Sequence, residues 1–201
     1  MWKYGLVLIP TVFFVPTDIL NTELKYTIES ESEVYLLGSS NVHNFTCYCK
    51  EDFSNEVFTY SIRKKGSVIT FENATLNLET QSLDCKNKRM NQDMYQTLKV
   101  DQFPYINIEL KEVLQKGSSL ASTSKNWVQY NAWVDVTVAG VTKPKLLEVN
   151  AKPLGNGKYR FVSSAYLALS DFNLDQPVAL MGLIKVKNDI GIYFDIVVQT
   201  R

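Results

Sequence analysis

The feature that most constrains this chain is a period-two alternation of apolar and polar residues, which recurs over long stretches. The same pattern occupies residues 105–110, 131–140 and 158–170. Near the C-terminus one face carries Val186, Ile190, Ile192, Phe194, Ile196 and Val198. A period of two places successive side chains on opposite faces of a strand. The chain is therefore expected to form half-buried antiparallel strands, each with one face on an apolar interior.

The N-terminal half adds further strands to this pattern. They are predicted at residues 23–30, 33–40, 41–49, 56–64 and 67–79. Turn residues separate many of the alternating runs, and the Ser-rich residues 117–126 are predicted to form a loop inside the domain. About nine strands favour a closed antiparallel barrel, because closure removes exposed strand edges.

A single segment predicts a helix, roughly Lys88 to Leu98. Met90, Met94 and Leu98 recur at i, i+4 and i+8 and form one apolar stripe. Asn87 or Asn91 is suited to cap its start. We expect this helix to cover one end of the barrel or to line its mouth.

The charge balance narrows the partners of the chain. Lys plus Arg and Asp plus Glu both number 21, so the formal net charge is zero. Nucleic-acid binding needs clustered cations, and the sequence contains no basic stretch. The sequence therefore argues against nucleic acid as the partner, and it gives no sign of attraction to an anionic membrane surface.

The N-terminus predicts export. Gly5 to Val15 is an apolar run of 11 residues, which is too short for a membrane span of about 20 residues. With Lys3 before it, the run is typical of a secretory signal. We therefore expect a signal peptide over residues 1–20, one domain over 21–201, a periplasmic or secreted location and no membrane span. The alternative is that the run forms a buried or frayed N-terminal strand.

Three cysteines, at positions 47, 49 and 85, predict one disulfide and one leftover thiol in an exported protein. Cys47 and Cys49 lie two residues apart on a predicted strand, so their side chains share a face and run parallel. Neighbours of this kind rarely pair with each other. The expected bridge joins Cys85 to either Cys47 or Cys49.

Catalytic and metal-binding motifs are scarce. His43 is the single histidine, and the chain has no G-x-S-x-G, phosphate loop or H-E-x-x-H pattern. We therefore predict that the protein is not an enzyme. His43 with the three cysteines could form a tetrahedral metal site. Thiols in an oxidising compartment more often form disulfides, so a histidine that is hydrogen-bonded within the fold, or one that meets a polar ligand head, is preferred.

Five segments carry a family resemblance. They are LDCKNKRMNQDMYQTLKVDQFPYINIEL (83–110), GSSNVHNFTC (38–47), VDVTVAGVTKP (134–144), SDFNLDQP (170–177) and ALMGLIKVKNDIGIYFDIVV (179–198). In this order they resemble the YceI-like family of exported lipid-binding proteins, and the similarity runs from about residue 23 to the end. The chain departs from the pattern at Asn173, where Gly is common, and at Cys49, which is an extra thiol.

The resemblance implies an all-β, lipocalin-like, eight-stranded antiparallel barrel that holds a long isoprenoid or fatty acyl chain. It implies no cofactor and no catalysed reaction. It also favours Cys47 as the partner of Cys85, because the similar strand of the family ends at that position. The oligomeric state is left open, a dimer included.

The resemblance and the apolar strand faces together suggest a ligand-binding wall. The expected residues are Ile106, Ile108, Val134, Val136, Phe161, Ala165, Leu167, Phe194 and Ile196 from the strands, with Met94 and Leu98 from the helix. The alternative is a solidly packed barrel without a ligand, which would suit a structural or interaction protein of the cell envelope.

Overall fold

A computed structural model of the chain describes residues 20–54, 57–116 and 127–201. The predicted signal peptide, apart from Leu20, and the predicted loop at 117–126 lie outside these ranges. The strands are β1 (Leu20–Ile28), β2 (Glu33–Ser39), β3 (Asn44–Cys49), β4 (Phe58–Lys65), β5 (Val68–Glu72), β6 (Thr75–Glu79), β7 (Leu83–Asp84), β8 (Tyr105–Gln115), β9 (Val128–Val138), β10 (Val141–Gly155), β11 (Lys158–Ala168), β12 (Val178–Ala179), β13 (Ile184–Lys185) and β14 (Asp189–Thr200). The helix α1 spans Lys88–Thr97, and short 3-10 helices span Thr80–Ser82, Leu169–Phe172 and Leu180–Gly182.

Eight of these strands form a closed antiparallel ring. The order is β1-β4-β5-β8-β9-β10-β11-β14, and β14 pairs again with β1. The ring confirms the predicted eight-stranded antiparallel fold. Its longest ladders join β9 to β10 and β11 to β14, which are the strands with the clearest alternation in the sequence.

One edge of β14 is shared between two strands. Its C-terminal part pairs with β1 at residues 26–28, and its N-terminal part pairs with β2 at residues 33–37. Between the two ladders, the Ser32 hydroxyl accepts a hydrogen bond from the Val197 N–H at 3.0 Å and lies 3.3 Å from the Val197 carbonyl oxygen. β2 therefore leaves the ring and continues into a branch with β3 and β7.

Two predicted strands differ in the structure. The predicted strand 67–79 is two strands, β5 and β6, because Asn73 adopts a left-handed conformation with φ of 64° and breaks the run. The predicted strand 41–49 begins at Asn44, because residues 41–43 form a turn. In that turn the Ser40 hydroxyl accepts from the N–H groups of Val42 and His43.

The predicted helix is present and ends one residue earlier than expected. Asn87 caps its start, since its side chain accepts from the Met90 N–H at 3.1 Å. Leu98 follows as the C-terminal cap residue and is buried. No helix within the described ranges combines the length and apolar character needed to cross a bilayer.

The interior of the ring is densely filled around the ends of β6 and β7. Leu78 and Leu83 are each 1% exposed and belong to one continuous apolar cluster with Ile106, Val134 and Val136. Because the cluster joins side chains from across the ring, it stabilises the ring as a unit.

Truncating this cluster should destabilise the protein strongly. Leu78→Ala removes a fully buried side chain, and we expect it to lower the free energy of unfolding by about 2–5 kcal/mol. The matched control is Leu154→Ala, where the side chain is 46% exposed, and its effect should stay within about 0.5 kcal/mol. Urea denaturation of both variants measures the difference, and equal effects would contradict the assignment of Leu78 to the core.

Candidate functional site

A cavity of about 610 Å³ lies at one end of the ring. This volume falls in the usual range for small-molecule sites, about 300–1,000 Å³. The wall is mostly apolar and comes from α1, the turn between β2 and β3, strands of the ring, the 3-10 helix Leu169–Phe172 and the hairpin formed by β12 and β13. We call the open side of this cavity the mouth.

Helix α1 forms one side of the cavity with its apolar stripe. Met90, Met94 and Leu98 all line the cavity. Methionine suits such a wall, because its flexible side chain adapts to irregular apolar surfaces. The predicted position of the helix, lining the mouth of the barrel, agrees with this geometry.

Polar contacts fix the helix against β7. The Asn91 side chain accepts from the Cys85 N–H at 2.8 Å and donates to Asp84 at 3.0 Å. The Tyr95 hydroxyl lies 2.9 Å from the carbonyl oxygens of Gln81 and Leu83. These contacts leave the Met90–Met94–Leu98 stripe facing the cavity.

The same contacts shift the pKa of two side chains. The hydrogen bond from Asn91, together with one from the Lys86 N–H, lowers the pKa of the Asp84 carboxyl. Burial and the nearby Asp84 charge raise the pKa of the Tyr95 phenol. Asp84 therefore stays ionised and accepts the hydrogen bond from Asn91. Tyr95 stays neutral, so its hydroxyl can donate to the backbone carbonyl groups.

A disulfide joins Cys47 on β3 to Cys85, so the pairing favoured by the family resemblance is present. Cys85 also lines the cavity, and its sulfur lies 3.9 Å from the Met94 sulfur. Cys49 remains a free thiol, 3.2 Å from the Ser82 hydroxyl. The bridge therefore links the strand branch covalently to the segment that carries the helix.

The expected ligand residues fall into two groups. Four of them line the cavity: Met94, Leu98, Ile106 and Leu167. Seven do not line it: Ile108, Val134, Val136, Phe161, Ala165, Phe194 and Ile196. Ile108, Val134 and Val136 are buried in the core cluster, and the other four are half-buried. The opening thus occupies one end of the interior, and packed side chains form its floor.

The sequence analysis missed the hairpin at the mouth. Pro177, Val178, Ala179, Met181, Ile184 and Val186 line the cavity. The Asn41 amide holds this hairpin against the β2–β3 turn, because it donates to the Leu183 carbonyl at 2.8 Å and accepts from the Lys185 N–H at 2.9 Å. Strands of two residues are too short for alternation to reveal them, although their apolar content was visible.

The adjacent 3-10 helix is fixed in a similar way. Asn188 accepts from the Ser170 N–H and donates to the Ser170 hydroxyl, both at 3.0 Å. Asn173 ends the helix in a left-handed conformation with φ of 56°. Asn tolerates this conformation better than most residues with a side chain, so the departure from the family's Gly at this position keeps the turn.

Phe45 covers Gly38 at the cavity wall. The two residues are cross-strand partners, and a Cβ atom added at Gly38 would lie 2.1 Å from the Phe45 ring. The absence of a side chain at Gly38 therefore creates the space that the ring occupies. Phe45 was not expected at the site, although its strand parity matches that of Cys47.

Polar groups gather at the mouth. Arg89 and Asp93 form an i, i+4 ion pair at 3.4 Å on α1, and both line the cavity. The His43 ring packs edge-on against Phe45, with 6.4 Å between the ring centroids, and it makes no side-chain hydrogen bond to another described residue. The described residues contain no cluster of three His, Cys, Asp or Glu side chains that could hold a metal ion. The thiolate–histidine alternative is further weakened because two of the three cysteines are oxidised.

Comparison with known proteins gives the family and the fold. Residues 29–198 match the family described as the YceI-like domain. A polyisoprenoid-binding domain from Saccharophagus degradans, implicated in plant cell wall breakdown, has a TM-score of 0.63 at 12% identity, with 89% of this chain and 99% of that chain covered. BcnA from Burkholderia cenocepacia has a TM-score of 0.58 at 13% identity, with 85% and 98% covered. At these identities the two structures support the fold alone. No curated protein sequence matches the chain.

Loss of the disulfide should destabilise the protein. The bridge spans 38 residues, and we expect Cys47→Ser combined with Cys85→Ser to lower the free energy of unfolding by about 3–4 kcal/mol. Cys49→Ser is the control and should leave the bridge intact. Thiol labelling of unfolded, unreduced protein should modify one cysteine in the native sequence and none in Cys49→Ser. Labelling of all three cysteines would show that the bridge does not form.

The contact between Gly38 and Phe45 predicts that the effect of Gly38→Ala on stability reverses its sign when the Phe45 ring is removed. Gly38→Ala should destabilise the native sequence by about 1–3 kcal/mol, because the new methyl group displaces the Phe45 ring. In a Phe45→Ala background the same substitution should stabilise by about 0.5–1 kcal/mol, since Ala suits a strand better than Gly. Denaturation of the four proteins in this cycle gives both values, and a cost that persists without the ring would refute the steric explanation.

Proposed function

The chain belongs to the YceI-like family, and on this basis we propose that it binds and carries a long apolar molecule, a polyisoprenoid or fatty acyl chain, in the cavity beside α1. The observation that carries the proposal is the cavity itself, about 610 Å³ with a mostly apolar wall. The structural relative from Saccharophagus degradans is described as a polyisoprenoid-binding domain, which points to the same ligand class.

The driving force is the transfer of hydrocarbon from water to this wall. Burial of one methylene group contributes about 0.8 kcal/mol. A tail with a dozen buried carbons therefore gains on the order of 10 kcal/mol before the cost of ordering it. Met94, Leu98, Ile106 and Leu167 supply part of the contact surface. The remaining seven expected residues do not line this cavity.

We assign the polar end of the ligand to the mouth. His43 and Arg89 both line the cavity, and the Arg89 side chain is 79% exposed while paired only with Asp93 among the described residues. The imidazole and guanidinium groups can both donate hydrogen bonds to an oxygen-rich head. The tail would then point inward, toward Ile106 and the floor.

We also propose that the protein works outside the cytoplasm. The Cys47–Cys85 bridge suits an oxidising compartment. The apolar run at residues 5–15 suits a secretory signal. The competing interpretation, a structural envelope protein with a solidly packed barrel, is disfavoured because one end of the interior is open.

Solvent extraction and mass spectrometry of the purified protein test the proposal. We expect an isoprenoid or acyl lipid from the native sequence and at least about tenfold less from Met94→Lys, because a charge on the cavity wall opposes an apolar tail. The matched control is Gln92→Lys, which places the same charge on the exposed side of α1. Absence of lipid from the native protein would refute the carrier function. Equal lipid recovery from Met94→Lys and Gln92→Lys would show that the helix does not contribute to the binding site.

A further inference from the structure

We propose that the mouth of the cavity docks on the surface of a phospholipid bilayer through a lip of exposed apolar side chains. The lip consists of Val42 in the β2–β3 turn and of Val178, Met181 and Leu183 in the β12–β13 hairpin. Their exposures are 60%, 59%, 107% and 73%, respectively. Single exposed apolar residues are normal on protein surfaces, but a group of four on two joined turns marks an interaction site.

The lip is held in place by the fold. The Asn41 side chain bonds to the backbone of Leu183 and Lys185, so Val42 and Leu183 lie on adjoining segments. The Asn41 N–H also donates to the Lys185 carbonyl at 3.1 Å. Met181 is fully exposed on this fixed hairpin, so its side chain adds nothing to the core and is available to a partner.

The lip is continuous with the cavity. Val178, Ala179, Met181 and Ile184 line the cavity from the same hairpin that carries the exposed tips. An apolar molecule that leaves a bilayer at this point passes from lipid to the cavity wall without crossing water. This continuity is a property of the geometry and does not depend on which ligand the cavity holds.

The charges beside the lip fit phospholipid head groups. Lys185 ends β13 and Lys187 follows the hairpin; both are exposed and form no ion pair with another described residue. Lys88 lies at the start of α1, and the Arg89 guanidinium is exposed beside it. Asp175 and Asp189 are exposed and lie within two residues of the lining residues Pro177 and Ile190, so they partly offset these cations. The arrangement therefore favours apolar insertion assisted by a few cations over binding by charge alone.

A bilayer suits the shape of the lip better than a second copy of the chain. Stable protein interfaces bury broad complementary surfaces, whereas the lip is the tip of two turns, with Met181 wholly exposed. Protruding apolar tips of this kind are buried at the boundary between head groups and acyl chains.

Flotation with vesicles of phosphatidylcholine and phosphatidylglycerol tests the proposal. The native protein should float with the vesicles, and Met181→Ser combined with Leu183→Ser should reduce binding at least about tenfold, because two apolar side chains are lost. The matched control is Leu146→Ser combined with Tyr166→Ser, which removes side chains that are 53% and 76% exposed on the outer wall of the ring. The control should bind like the native protein, and all variants share the same N-terminal residues.

Three results would overturn the proposal. The native protein could fail to float, or the lip and wall variants could float equally. The native protein could instead form a dimer in vesicle-free sedimentation that the lip variant loses, which would make the lip a contact between copies. Met94→Lys separates this proposal from the carrier function. If it carries no lipid and still floats, docking holds independently, whereas a loaded protein that does not float refutes docking alone.

Discussion

The architecture depends on how one edge of β14 is divided between β1 and β2. A strand of the ring has one neighbour on each side, but β14 gives the end of one edge to β1 and the beginning to β2. At the junction the Val197 N–H donates to the Ser32 hydroxyl, and the Glu29 N–H, one residue after β1, donates to the Val197 carbonyl. Because β2 is thereby diverted, β3 and β7 continue beside it, and the disulfide connects that branch to the segment before α1. The helix and the mouth are thus placed by a single shared edge.

The fold was largely predictable, because alternation shows which face of each strand points to the interior. In the alternating run 131–140, a period of two puts Ala132, Val134, Val136 and Val138 on one face, and all four are buried. Prediction from alternation fails where a left-handed residue such as Asn73 breaks a strand. It also does not show which parts of the outer surface are covered. Val197 lies on the face of β14 opposite to the predicted apolar face, yet it is 2% exposed. Beside it the Asp195 carboxylate, 8% exposed, pairs with Arg160, so that part of the outer wall is covered.

The site was less predictable. Alternation shows which side chains face the interior, but not how far along the barrel axis each one lies. Ile106 and Ile108 share a face of β8, yet Ile106 lines the cavity and Ile108 is packed in the core. Only the position along the barrel axis separates them, and this position depends on strand tilt and register, which no local pattern encodes. The helix residues were found because a 3.6-residue period marks a helix face directly. The β12–β13 hairpin was missed because its strands are too short for alternation and its position depends on the distant Asn41.

The floor of the cavity has a consequence for selectivity among tails of different length. A space of about 610 Å³ holds on the order of 20 groups of the size of a water molecule, which occupies about 30 Å³. A tail of the proposed ligand class that is shorter than this would leave part of the space empty. Beyond that length the packed side chains of the floor would stop further entry, and additional units of the tail would remain outside. For the proposed ligand class, the packed floor would therefore make binding depend on the first carbons of the tail and not on its total length.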